Sequence, residues 1–133
     1  MEIGIERLAA LSFIITGLSH IAAPRAWVRF FSNMRAAGEA AGFLNAYVHI
    51  PLGLLIVAFH PVWSGPGLLV TLLGWALTLK GTIYFVWPQL ATRTLAHATE
   101  DRAWQFRVAG FVSLLLGLAI GWIALSAEAA SRA

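Results

Sequence analysis

Five polar side chains stand inside stretches that are otherwise apolar: His20, Asn45, His49, Lys80 and Tyr84. Asn45 and His49 are four residues apart, as are Lys80 and Tyr84, so on a helix each pair shares a face. Imidazole, phenol and ammonium groups can hydrogen-bond the head of a small amphiphile, while Leu, Ile and Phe walls hold its tail. His49 is the one acid–base group that this set offers for chemistry on such a ligand. Pro51 lies beside it and frees the carbonyl of Tyr47, for which Lys80 is a candidate donor. Two histidines also raise haem ligation. His20 and His49 differ in depth by roughly 7 Å at the helical rise, whereas a bis-histidine haem wants them level. Haem is therefore not expected, and the sequence selects no cofactor.

The elements that must carry these residues follow from composition. The chain has 133 residues, of which 59% are hydrophobic and 11% charged, and its mean hydropathy is +0.78. Residues 40–79 contain no charge at all. A soluble domain of this size needs a charged skin that this chain cannot supply. A net charge of +3 is too small for a surface that tracks nucleic-acid phosphates, so no nucleic acid is expected as a partner. There is no Cys, which excludes disulfides, thiolate metal sites and a cysteine nucleophile. What remains is an integral membrane protein whose first partner is the lipid bilayer.

A bilayer core takes about 20 apolar residues per helix. Four spans are predicted, at 5–23, 41–60, 67–87 and 103–125, within a single transmembrane domain. Pro24 and Pro88 stop the first and third, and the 60–67 turn, with two Pro and two Gly, separates the second from the third. Thr99, Glu100 and Asp101 open the fourth as a hydroxyl cap and two acids facing the positive end of the helix dipole. The first span carries Glu2, Glu6 and Arg7 at its start, which does not fit a cleaved signal peptide. The expected fold class is all-α, an integral membrane four-helix bundle.

Between spans one and two, Trp27, Phe30, Phe31 and Met34 recur at helical spacing, with Arg25, Arg29 and Ser32 opposite. That is an amphipathic interfacial helix with its arginines toward lipid phosphate. The loop at 89–100 has only a weak pattern through Leu90 and Leu95. Arg25, Arg29, Arg35, Arg93, Arg102 and Arg107 lie on the side of these two loops, against Arg7 and Arg132 on the other. The count places the long loops in the cytoplasm and both termini outside a bacterial inner membrane. On this topology His20, Asn45 and Tyr84 lie about 4 to 6 Å inside the cytoplasmic helix ends, and His49 and Lys80 about 10 to 12 Å. Trp75 does not fit the interfacial belt and is expected inside. His60, in the outer turn, is expected to be solvated. None of Glu2, Glu6, Glu39, Glu100, Asp101 and Glu128 is read as lying inside a span, which argues against proton-coupled export.

A shift of 64 residues aligns the first two spans with the last two without gaps. It superposes Gly17 on Gly81, Pro24 on Pro88, Arg29 on Arg93, and the run around Gly53 on that around Gly117. Residues 8–60 and 72–124 then read as two tandem two-span hairpins in one orientation, related by an axis along the membrane normal. Ala109, Ser113, Gly117 and Gly121 form a small-residue ladder on span four, which admits span one, a second copy or a larger complex.

Four spans in this length, the first ending at Pro24 before an amphipathic loop, resemble the DoxX-like group of small bacterial membrane proteins. That resemblance implies a four-helix membrane bundle with redox or quinone links. Two functions follow as expectations. One is binding of a quinone, isoprenoid or lipid by His20, Asn45, His49, Lys80 and Tyr84 in a cytoplasmic-side pocket. The other is a structural or accessory subunit of a larger membrane complex.

Overall fold

The computed structural model describes residues 1–132. Six helices follow one another: α1 (Glu2–Ala22), α2 (Pro24–Ala36), α3 (Ala40–Phe59), α4 (Leu68–Val86), α5 (Pro88–Leu95) and α6 (Ala103–Arg132). Among the described residues there is no strand. Four helices, α1, α3, α4 and α6, are long and apolar enough to cross a membrane. Leu11, Ile15, Leu72, Leu79 and Leu115 point outward from them. An apolar outer face fits lipid rather than water.

Proline sets three helix ends in one way. Ala23, His60 and Trp87 each precede a proline, and each leaves the helical region, with φ −132°, −134° and −126°. The proline ring clashes with a helical predecessor, so the chain must turn there. Pro24 and Pro88 then serve as first residues of α2 and α5, where their missing N–H is no loss. Gly38 and Gly65 make the remaining tight turns at φ 63° and 62°.

The bundle is held by close approach of small residues. α1 packs chiefly on α6, and α3 chiefly on α4. A Cβ added at Gly117 would stand 2.8 Å from the Ala10 carbonyl oxygen and the Ile14 nitrogen. One added at Gly53 would stand 3.0 Å from the Gly74 oxygen and 2.6 Å from the Thr78 nitrogen. These contacts are the same contact 64 residues on. So are those of Gly17 with Leu114 and Gly81 with Ile50. The ladder on α6 therefore meets α1 of its own chain at Gly117, where Ser113 also donates to the Phe13 carbonyl at 2.8 Å. Gly121 is looser, 3.7 Å from the Ala10 Cβ.

Three local expectations are corrected. Trp75 is 49% exposed and faces outward; α4 buries its small residues Val70, Thr71, Gly74 and Gly81, which leaves the indole for lipid. The 89–100 segment is not a plain loop: α5 forms there and buries Ala91 and Leu95. Its partner is α3, where Gly42 lets Pro88 approach within 2.5 Å of an added Cβ. The amphipathic α2 docks on protein as well as lipid. Val28 is buried, Phe31 stacks on Phe106 of α6 at 5.6 Å, and Phe30 faces outward.

Candidate functional site

The helices place polar groups at two ends of the bundle. One end, here the loop end, carries α2 and α5. The other, the terminal end, carries the 60–67 turn, the start of α1 and the last turns of α6.

At the loop end the five polar residues divide between two places. His49 and Asn45 share a face of α3, and Lys80 and Tyr84 a face of α4. His49 packs over the bare backbone of Gly81, 3.3 Å from an added Cβ, which brings the two pairs alongside. His49 Nδ1 lies 2.7 Å from the Asn45 carbonyl, so it carries the proton and leaves Nε2 as an acceptor. The Lys80 ammonium stands 5.9 Å from the Tyr84 ring centroid, and the Tyr84 hydroxyl donates to Thr94 on α5 at 3.2 Å. Asn45 Oδ1 is buried without a partner among the described residues. His20 stands apart from these four. Its ring stacks on Trp27 of α2 at 4.1 Å and on Phe106 of α6 at 5.8 Å, and Nδ1 donates to the Thr16 carbonyl.

A cleft of about 670 Å³ lies between the α1–α2 corner and the start of α6. Arg25, Arg29 and Arg107 line it, with Trp104, Glu100 and Asp101. Among the described residues these three arginines make no ion pair. Ala23 and Ala26 also border an apolar groove of about 290 Å³ that runs along Ser19, Trp27 and Phe30. The Trp27 indole is fixed there by donation to Ser19 Oγ at 3.0 Å. The cleft sets three arginines against two carboxylates and borders an apolar groove, so guanidinium donors and an apolar wall stand side by side there.

The terminal end holds what the sequence reading missed. His60 is not solvated but wholly buried, at 0% exposure, with Glu6 at 5% and Thr71 at 1%. His60 Nε2 is 3.0 Å from Glu6 Oε1, and Nδ1 is 3.1 Å from Thr71 Oγ1. Thr71 Oγ1 is also 2.8 Å from the carbonyls of both His60 and Val62. Glu6 thus lies within a span, buried among helices, contrary to expectation. A pattern did mark it. Glu6, Ala9, Ala10 and Gly17 are the buried residues of α1, and the three small ones recur at helical spacing along one stripe with Glu6. His60 is held inward because Pro61 ends α3 at that residue and turns the chain back over α4.

Comparison with known proteins adds one finding. Residues 69–124 match the model of an uncharacterised protein family conserved in bacteria (DUF2065). The matched stretch is the second half of the chain, α4, α5 and most of α6. The DoxX-like group gives no such match. No curated protein and no solved structure matches the chain.

Proposed function

We propose that this protein binds an amphiphile with an anionic head, of the lipid or isoprenoid phosphate class, at the loop end of the bundle. The observation that carries this reading is the arginine cleft opening onto the apolar groove of Trp27 and Phe30. The head sits against Arg25, Arg29 and Arg107, and the tail lies along α1 and α2. His20, stacked beneath Trp27, braces the groove wall. Asn45, His49, Lys80 and Tyr84 form a second polar strip, between α3 and α4, within reach of the same leaflet.

The two corners of the bundle are not equivalent in charge. The positions 64 residues from Arg25, Arg29 and Arg107 are Gln89, Arg93 and Phe43. Gln89 is already engaged with Glu39 at 2.6 Å. The trio of arginines, faced by Glu100 and Asp101, therefore belongs to one corner alone and is not a by-product of the 64-residue recurrence. The chain itself reads best as two tandem hairpin repeats, since both the helix order and the glycine contacts recur at that offset.

Native mass spectrometry of protein extracted in mild detergent tests the reading. Anionic amphiphile should be retained by the wild type. Each arginine near a charged surface contributes about 1 kcal/mol, so the triple change of Arg25, Arg29 and Arg107 to alanine should weaken retention about 100-fold. An empty wild-type protein, or retention indifferent to the triple change, would leave the accessory-subunit reading in its place.

We further propose that the loop end faces the cytoplasm of a bacterial inner membrane, on the six-to-two arginine distribution. Topology reporters fused after Ala96 and after Gly65 should report inside and outside respectively; the opposite pattern would overturn the orientation.

A further inference from the structure

The Glu6–His60–Thr71 cluster is not required by the architecture. The residues 64 positions from Glu6 and His60 are Val70 and Ala124, and both are fully buried. The bundle thus fills the corresponding places in its other half with apolar side chains. A carboxyl and an imidazole buried together are costly where an apolar pair would pack, which points to a role beyond packing.

Hydrogen-bond accounting defines that role. Thr71 Oγ1 has one hydrogen and faces two carbonyls at 2.8 Å. If that hydrogen turned to His60, both carbonyls would face oxygen lone pairs. It is therefore donated to a carbonyl, and Thr71 accepts from His60 Nδ1–H. Nε2 then meets Glu6 Oε1 at 3.0 Å, and this contact is a hydrogen bond only if a proton lies on it. The proton belongs either to a carboxylic acid donating to a neutral ring or to an imidazolium donating to a carboxylate. The pair carries no net charge in either form. Without that proton two lone pairs would oppose each other, beside a second oxygen, Oε2, that has no partner among the described residues.

We propose that Glu6 and His60 form a buried proton-binding site that holds one proton between Oε1 and Nε2. The pair joins the start of α1 to the turn after α3, and through Thr71 to α4, so its proton fastens three segments at the terminal end. The other ionisable groups at this end are the Met1 amino group, Glu2 and Arg7 of α1, and Glu128 and Arg132 of α6. Arg7 and Arg132 both pair with Glu128. From α4, which carries Lys80 and Tyr84 toward the other end, Thr71 hydrogen-bonds the pair.

Nitrogen-15 spectra of the His60 ring and the carboxyl infrared band of Glu6, recorded on the full chain in detergent micelles at neutral pH, test this, with Glu6→Gln assigning the band by its loss. A doubly protonated His60 ring or a protonated Glu6 carboxyl is expected. A neutral ring beside an ionised carboxylate would refute the site.

Discussion

Gly117→Leu should abolish the folded bundle, and even Gly117→Ala should cost on the order of 2 to 3 kcal/mol. The first added carbon would stand 2.8 Å from the Ala10 oxygen and the Ile14 nitrogen. Both are backbone atoms of a helix and cannot swing aside, so α1 and α6 must separate along their length. In lipid nothing replaces that contact, because helix association there depends on close packing rather than on exclusion of water. Gly53→Ala should behave alike, since it meets the Thr78 nitrogen and the Gly74 oxygen on α4 at 2.6 and 3.0 Å. Gly121→Ala should be tolerated, having only the Ala10 Cβ at 3.7 Å. Thermal unfolding in detergent should rank the variants in that order. Wild-type stability in Gly117→Ala would show that α1 and α6 are not held there.

The four spans were legible because a bilayer demands long apolar runs, and prolines mark where they stop. Pro24, Pro61 and Pro88 each act on the residue before them, so three boundaries fall within a residue or two of expectation. The fourth span runs on to Arg132, past the apolar stretch, because Ala127, Ala129 and Ala130 favour helix whatever the solvent. α5 was illegible for the opposite reason. Eight residues carry too little periodicity, and the helix docks on α3 because Gly42 admits Pro88.

The arginines of the cleft were visible as an interfacial face, but not as a cleft. Arg107 lies more than seventy residues beyond Arg29, and only the packing of α2 on α6 brings them together. The Glu6–His60 pair was hidden more deeply. His60 sits next to a proline in a turn, where the usual expectation is water. Glu6 sits among charged residues at a chain start. Neither position declares burial alone, and the partnership spans 54 residues of sequence. The clue that survived in the sequence was the stripe Ala9, Ala10 and Gly17, whose extension by one turn reaches Glu6.

His60→Ala should destabilise the bundle by about 3 to 5 kcal/mol, the usual cost of leaving one member of a buried pair alone. Among the described residues Glu6 Oε1 would lose its one partner and Oε2 has none, and Thr71 would lose a donor. The other half of the chain suggests the remedy. Combining His60→Ala with Glu6→Val copies the residues at the corresponding positions, Ala124 and Val70. The double variant leaves no stranded carboxyl, at the expense of a cavity where the ring had been. It should therefore be more stable than His60→Ala alone, with a coupling on the order of 2 kcal/mol in a double-mutant cycle. Simple additivity of the two single changes would mean that Glu6 and His60 do not act as a pair. A double variant less stable than either single one would mean that the fold needs polar groups here, and that the apolar solution of the other half does not transfer to this end.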